Sequence, residues 1–350
     1  MRSTRPKPLH LLCGKPMVLH VIDALAELHV ERVVVVVGHG ADRVIKTVQE
    51  QVRPDLEIEF VEQRVQRGTG DAVAVALTAF PEDDSDEDSD LVVMPGDTPL
   101  LRPATLAALV RTHRAADAAA TLLTAEVADP TGYGRVIRGK DDKVHRVVEE
   151  LDLSGDDHEV LTEVNTSIYC FRRSVLAPSL RRISPDNAKG EYYLTDVVEV
   201  LYDAGYPVVA LPAPDPMEAA GVNDRAQLAV AEAELRDRTN ERWMRRGVTM
   251  LDPERTYIDD SVELGTDVTI FPGTLLQGAT TIGDNAEIGP DARLVDCTVG
   301  EDAVVEQTVA RQATIGNRAR VGPFAVLQPG AVVADDAVVA PFEMITGPDA

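Results

Sequence analysis

The chain has 350 residues, enough for about two domains and a sizeable core. Its 34 Lys and Arg against 59 Asp and Glu give a net charge of −25, and so acidic a surface repels phosphate backbones, which argues against nucleic acid as a partner. No apolar run approaches the roughly 18–20 residues of a membrane helix, and no apolar signal core follows Met1-Arg2-Ser3-Thr4-Arg5-Pro6-Lys7, so the sequence reads as cytoplasmic, without membrane insertion. Cys13, Cys170 and Cys297 show no pairing pattern and no C-x-x-C spacing. That suits a reducing compartment, excludes a Cys-rich zinc site and predicts buried thiols.

From Pro16 to about Glu232, apolar runs alternate with amphipathic helical stretches. Met17, Val21, Leu25 and Leu28 share one helical face. Val33–Val37 is all valine and is followed by Gly38-His39-Gly40, and Leu91–Met94 is followed by Pro95-Gly96-Asp97. Such runs predict buried parallel strands that deliver loops at their carboxyl ends, hence an α/β domain. Gly68-Thr69-Gly70 reads as a tight turn before a helix over Asp71–Leu77. The acidic run from Glu82 to Asp90 reads as a solvated loop, with a cation-binding segment as the lesser reading. Residues 224–247 are charge-rich with Leu228, Leu235 and Trp243 as an apolar stripe, a connecting helix.

Beyond that helix the pattern changes. Ile258, Leu264, Ile270, Leu276, Ile282, Ile288 and Leu294 recur every six residues, and Ile315, Val321, Leu327, Val333, Val339 and Ile345 do so again. Five-residue steps through Val299, Val304 and Val309 bridge the two runs. An aliphatic anchor every sixth position, with small residues beside it, predicts a left-handed parallel β-helix of hexapeptide repeats.

Several segments of the first part, taken in order, resemble one family. They are Arg5-Pro6-Lys7-Pro8-Leu9-His10, Gly38-His39-Gly40, Gln63 with Gly68-Thr69-Gly70, Pro95-Gly96-Asp97-Thr98-Pro99-Leu100, Asp129 to Arg135, Val148-Glu149, Glu163-Val164-Asn165-Thr166, Gly190 to Asp196 and Gly221-Val222-Asn223. Together with the helix and the β-helix that follow, they resemble the bifunctional N-acetylglucosamine-1-phosphate uridyltransferase/glucosamine-1-phosphate acetyltransferases across nearly the whole chain. The resemblance implies a Rossmann-like, glycosyltransferase-A-like nucleotidyltransferase domain at 1–223, a linker helix at 224–247 and a left-handed β-helix at 248–347. It implies a uridylyltransferase that uses Mg²⁺ to join UTP and N-acetylglucosamine 1-phosphate, and a homotrimer.

The chemistry agrees, because joining two anionic reactants calls for positive charge and in-line positioning more than covalent catalysis. A carboxylate at the end of a buried strand, such as Asp97, is a hard ligand suited to Mg²⁺, although on the residues alone an Asx turn is an equal reading. The resemblance makes Asp97 and Asn223 metal ligands. Lys7 reads by spacing as a surface lysine, and the resemblance sets it against the phosphates, as the catalytic residue. Gln63 donates and accepts at once, which suits the edge of a uracil ring, and Gly68 and Thr69 let the backbone approach a base. Pro95 and Gly96 complete the implied nucleotide side. Gly134, Glu149, Asn165, Tyr193 and Thr195 match positions that contact the sugar phosphate.

The departures carry expectations of their own. The family's first strand and its glycine-rich phosphate loop lie ahead of the position matched by Met1, and a sheet without that strand exposes backbone on both neighbouring strands. In the β-helix, Gln328 and Ile345 stand where the family's acetyltransferase has arginine and lysine, and none of the seven histidines lies there, so no acetyl transfer is expected. Leu151 and Pro95 depart from the usual residues near the pocket, which leaves a different sugar 1-phosphate as an alternative substrate, and the absent phosphate loop leaves a catalytically silent trimeric scaffold as an alternative role.

Overall fold

A computed structural model describes residues 1–347 except 26–27, 29, 55, 81–88, 140–142 and 155–160; most of the acidic run, His29 and His158 lie outside the described residues. The chain forms two compact units, Met1–His10 with Pro16–Gln227, and Leu11–Lys15 with Leu228–Ala350. Two short strands, β1 (Leu11–Leu12) and β2 (Lys15–Pro16), make a hairpin around Cys13-Gly14. Among the described residues no helix is long and apolar enough to cross a membrane.

In the first unit, α1 (Met17–Ala24) is followed by the valine strand β3 (Val33–Val37), α2 (Ala41–Gln51) and β4 (Ile58–Glu62). β3 and β4 pair in parallel, Val35 opposite Phe60. After α3 (Thr69–Leu77) come β5 (Asp90–Val93), α4 (Pro103–Ala115), β6 (Ala120–Glu126), β7 (Gly134–Arg138), β8 (Val144–Val148), β9 (Glu163–Arg172), α5 (Arg173–Leu180), α6 (Asp196–Asp203) and β10 (Val208–Pro212). These strands form a second sheet in the order β10-β6-β9-β7-β8, with β5 also on β9. Leu122, Tyr169 and Phe171 pack with Leu176, Val197 and Val198, whereas Leu123, Ile168 and Cys170 pack with Leu106 and Leu109. Helices therefore cover both faces, which is why β6 and most of β9 are buried at successive residues rather than alternate ones. Each such leucine, fully buried, contributes roughly 1.5–3 kcal/mol.

The strand expectation needs two corrections. The sheet is mixed: β10 lies parallel to β6, but β9 runs antiparallel to β5, β6 and β7, because one long strand serves three neighbours. The runs at β3 and β5 are also less buried than expected. Among the described strands β3 pairs only with β4 and β5 only with β9, and Val34, Val35, Val36 and all of β5 are only half-buried, the open edges expected of strands lacking a neighbour.

In the second unit, α7 (Arg225–Arg245) enters from Leu228 onward. Trp243 is buried as expected, Leu228 and Leu235 are half-buried, and Asn240, fully buried, donates Nδ2 to the carbonyls of Pro253 (2.8 Å) and Thr256 (3.0 Å). Seventeen short strands, β11 to β27, between Thr249 and Ile345 then stack into three parallel sheets of six, six and five strands. This is the parallel β-solenoid that the hexapeptide period predicts. Ile270, Leu276, Ile288 and Leu294 are completely buried, each over its equivalent in the next coil, as in Ile270 over Ile288 and Leu276 over Leu294.

The bridging steps differ from expectation. Val305 and Ala310 point inward at 0% exposure, while Val309 is 43% exposed and Val304 half-buried. Val305 pairs with Ile288, and Ala310 with Leu294. A slip of one residue turns a strand over, and the coil takes the phase that keeps its inner column continuous. All three cysteines are free and buried, as expected.

Candidate active site

Every residue given a site role in the sequence lies in the first unit. Pro6 leads into a 3-10 turn, Lys7–Leu9, that aims Lys7 back at the chain. Asp97 sits in the loop after β5, and Asn223 just ahead of α7. Lys7 Nζ donates to Asp97 Oδ2 in a short contact and to Asn223 Oδ1 at 2.7 Å. Backbone contacts fix both partners: Val222 N–H donates to the Asp97 carbonyl at 2.9 Å, and Asn223 N–H to Gln227 Oε1 at 2.6 Å. Lys7 and Asp97 are 33% and 25% exposed, so the cluster is reachable from solvent. Two hard oxygen donors converging on one cation make a donor set that fits a hard divalent metal ion.

His10, three residues on, is buried, and its Nε2 has no hydrogen-bond partner among the described residues. Burial, followed by the charges of Arg225, Arg5 and the N-terminal amine, holds its pKa below the ordinary histidine value. In the sequence His10 stands only as the last residue of the Arg5–His10 segment, with no local pattern that points to a role.

Gln63 follows β4. Its Nε2 donates to the Gly68 carbonyl (3.2 Å) and to Asp71 Oδ2 (2.8 Å). Gly68 has φ +110°, and a Cβ there would lie 2.5 Å from the Tyr192 carbonyl oxygen, so the turn itself requires glycine. Thr69 opens α3 with its hydroxyl accepting from Leu194 N–H at 3.0 Å, and Gly70 N–H donates to the Tyr192 carbonyl at 2.8 Å. The helix expected over Asp71–Leu77 thus begins two residues earlier, at Thr69, so only Gly68 of the expected turn lies outside it, and the helix start is stitched to the segment that carries Tyr193 and Thr195. Pro95 accepts from the Thr98 hydroxyl at 3.2 Å, and Gly96 faces open space where a Cβ would meet nothing within 4 Å.

A second cluster gathers the sugar-side residues. Gly134 opens β7 opposite Asn165 of β9, and a Cβ on it would come 3.0 Å from Val147 Cγ1 and 3.6 Å from Glu149 Oε2. Thr195 Oγ1 donates to Glu149 Oε1 at 3.0 Å. Asn165 Nδ2 donates to the Tyr169 hydroxyl at 2.7 Å, which leaves Asn165 Oδ1 buried without a partner among the described residues, as is the Tyr193 hydroxyl. Buried polar atoms seldom stay unpaired, and here two do so in one neighbourhood. Glu149 and Tyr193 line an open cleft of about 180 Å³ with Gly132, Glu150, Leu151 and Lys189. Burial raises the Glu149 carboxyl against the lowering effect of Thr195. Burial also pushes Asp196 up to about 6, helped by the charges of Glu149, Glu199 and Asp152. Lys189 and Asp196 went unassigned in the sequence, although both lie inside the Gly190–Asp196 segment or next to it.

The family model described as nucleotidyl transferase matches residues 2–221. Among curated relatives, the bifunctional protein GlmU of Thermobifida fusca is 45% identical over 312 residues, covering 89% of this chain and 64% of that protein. GlmU of Halalkalibacterium halodurans is 42% identical over 309 residues, covering 88% of this chain and 66% of the relative. GlmU of Bifidobacterium longum subsp. infantis is 44% identical over 308 residues, with 88% and 66% covered. The chain thus spans a little less than two thirds of the length of these relatives.

Proposed function

Because the chain belongs to the nucleotidyl transferase family, with its likeness running to the GlmU proteins, we propose that it is a uridylyltransferase converting UTP and N-acetylglucosamine 1-phosphate to UDP-N-acetylglucosamine and pyrophosphate, in the cytoplasm, for cell-wall precursor synthesis. The observation that carries this reading is the Lys7 ammonium held between Asp97 and Asn223. Those two oxygens would hold a divalent cation, Mg²⁺, whose chemistry when bound is to neutralise phosphate charge. Lys7, which Asp97 and Asn223 position, supplies positive charge to the phosphates and stabilises charge that builds at the α-phosphorus. The sugar phosphate oxygen attacks that phosphorus in line and pyrophosphate leaves.

The remaining residues position the reactants. With both Nε2 hydrogens of Gln63 occupied, its Oε1 is left to accept the ring N–H of uracil. Gly96 and Pro95 leave room for the base and ribose. The unpaired Asn165 Oδ1 and Tyr193 hydroxyl take the amide and hydroxyls of the sugar, with Thr195 holding Glu149 in place for them. None of these roles falls in the solenoid, and no acetyl-transfer role is given to Gln328 or Ile345. The solenoid exposes Val309, Phe324, Val332, Val338, Phe342 and Met344, apolar area that supports a homotrimer formed through residues 250–345.

The test is product analysis with UTP against a panel of sugar 1-phosphates. Formation of UDP-N-acetylglucosamine with release of pyrophosphate supports the reading, and a preference for another sugar would transfer the assignment to that sugar, with Leu151 at the cleft as the first residue to examine. No turnover with any member of the panel would leave the scaffold role. Light scattering at micromolar concentration tests assembly: three chain masses are expected, and one chain mass refutes the trimer.

A further inference from the structure

Away from the candidate active site, the face of the mixed sheet under α4 carries a cluster that none of these roles uses. Cys170 of β9 lies opposite Val92 of β5 and Thr121 of β6, and Asp90, two residues before Val92, shares its face. α4 covers that face and brings His113 down onto it. His113 Nε2 is 3.4 Å from Asp90 Oδ1, and the donor atoms of Asp90, His113 and Cys170 all lie within 4.8 Å of one another. The other ring nitrogen, Nδ1, is 2.9 Å from Thr121 Oγ1, and the other carboxylate oxygen of Asp90 accepts Arg114 Nε at 2.6 Å. Asp90 and His113 thus each have one atom tied by a neighbour and the other turned to a centre shared with the Cys170 sulfur, the arrangement that outer partners impose on metal ligands.

We propose that Asp90, His113 and Cys170 form a binding site for a zinc-class divalent cation. Sulfur, imidazole nitrogen and carboxylate oxygen together suit a borderline-soft, tetrahedral ion better than Mg²⁺. Bonds of roughly 2.0–2.3 Å in a tetrahedron place donor atoms about 3.3–3.8 Å apart. The His113–Asp90 separation is already in that range, and the cysteine sulfur has to close by no more than about 1 Å to join it.

The charges also balance. A thiolate and a carboxylate offset a dication, so the site is neutral on a face where Cys170 and His113 are almost fully buried. Arg114, the nearest guanidinium, is 70% exposed and screened by solvent, and Arg172 is paired with Asp117 at 2.6 Å. Burial holds His113 below its ordinary pKa and pushes the Cys170 thiol up to about 12. Burial thus disfavours the charged imidazolium, the form that cannot ligate, and the thiol proton passes to solvent as the sulfur–metal bond forms. The carboxylate, the least buried of the three ligands at 14% exposure, marks the entry side.

The probe is Co²⁺ added to the purified, metal-stripped full chain. One cobalt per chain with a thiolate-to-metal charge-transfer band in the near ultraviolet is expected, abolished in Cys170→Ser and weakened at least tenfold in His113→Gln, and retained in Cys13→Ser, Cys297→Ser and Asp97→Ala. Because a core substitution can cost folding, Asp90→Asn at the exposed edge gives an independent reading: Zn²⁺ raises the melting temperature of the wild type and not of this variant. A band that survives in Cys170→Ser, no band in the wild type, or a melting temperature that Zn²⁺ leaves unchanged would overturn the site. Retention of the band in Asp97→Ala separates this cluster from the Lys7–Asp97–Asn223 cluster.

Discussion

The solenoid coils and the α/β unit treat buried polarity in opposite ways, while α7, at the head of the second unit, leaves Arg236 Nε, Asn240 Oδ1 and Trp243 Nε1 buried without a hydrogen-bond partner among the described residues. In the solenoid the buried threonines are paired to backbone carbonyls: Thr256 to Asp252, Thr274 to Phe271, Thr280 to Gln277 and Thr308 to Glu306, each at 2.7–2.9 Å. Among the described residues from Thr249 onward, no buried side-chain nitrogen or oxygen lacks a partner. Among the described residues the α/β unit instead leaves His10 Nε2, Thr124 Oγ1, Arg135 Nε, Asn165 Oδ1 and the Tyr193 hydroxyl unpaired, and burial pushes Asp196 up to about 6. A satisfied interior serves stability. An unsatisfied one costs stability and is kept where a ligand supplies the missing partners.

The comparison can be broken at either unit, and the largest effect is expected in the solenoid. Leu276→Ala removes a completely buried side chain, and denaturant unfolding of the second unit should show a loss of about 2–5 kcal/mol, with turnover per folded molecule unchanged. A fall in that turnover would mean that the solenoid takes part in the chemistry.

Next come Asp97→Ala and Asn223→Ala. Each removes a hard oxygen from a solvent-open cluster rather than core volume, so pyrophosphate release should fall about 10²–10³-fold while the melting temperature stays within a degree or two of wild type. Full activity in either variant would break the assignment of that residue.

Asp196 gives a smaller effect with a definite sign. Its folded pKa, about 6, lies above the model-peptide value of 3.8, so the folded chain binds the extra proton more tightly and stability declines as pH rises from about 4 to about 6. Asp196→Asn should flatten that decline and leave the first unit about 1–2 kcal/mol more stable than wild type at pH 7.5, measured by urea unfolding at pH 4 and 7.5. An equal gain at both pH values would remove the carboxyl as its cause.

The smallest effect sharpens the contrast most. Tyr193→Phe deletes a hydroxyl that has no hydrogen-bond partner among the described residues, so stability should hold or improve slightly, while KM for the sugar phosphate rises about tenfold with kcat little changed. A loss of stability instead would show that the hydroxyl is satisfied within the fold.

How much of this was legible depended on whether neighbours in space are neighbours in sequence. Solenoid coils repeat within about one coil length, so Ile270, Leu276, Ile288 and Leu294 announce themselves by period alone. The reading slipped only at Val304-Val305 and Val309-Ala310, where two adjacent apolar residues satisfy either phase and the pairing of Val305 with Ile288 decides. In the α/β unit, Asp90 pairs with Arg172 and Val208 with Ala120, contacts that no local period encodes. Lys7, Asp97 and Asn223 were singled out through a family resemblance, since a lysine after proline carries no physical signal of its own. The Asp90–His113–Cys170 cluster had none either, because its members come from three separate elements that meet only in the folded sheet.

The stitch between the helix start at Gly68–Gly70 and the Tyr192–Leu194 segment has a thermodynamic consequence. Thr69 and Gly70 hold that segment through two hydrogen bonds, at 3.0 and 2.8 Å, so, on the proposed function, a nucleotide that steadies the helix start would also steady the flanks of Tyr193. Part of the entropy cost of binding the second substrate would then be met by the first. Linkage requires the favour to be mutual: the factor by which UTP tightens the sugar phosphate equals the factor by which the sugar phosphate tightens UTP. Calorimetric titration in either order should return one and the same coupling free energy, and Thr69→Val, which cuts one thread of the stitch, should shrink it from both directions at once.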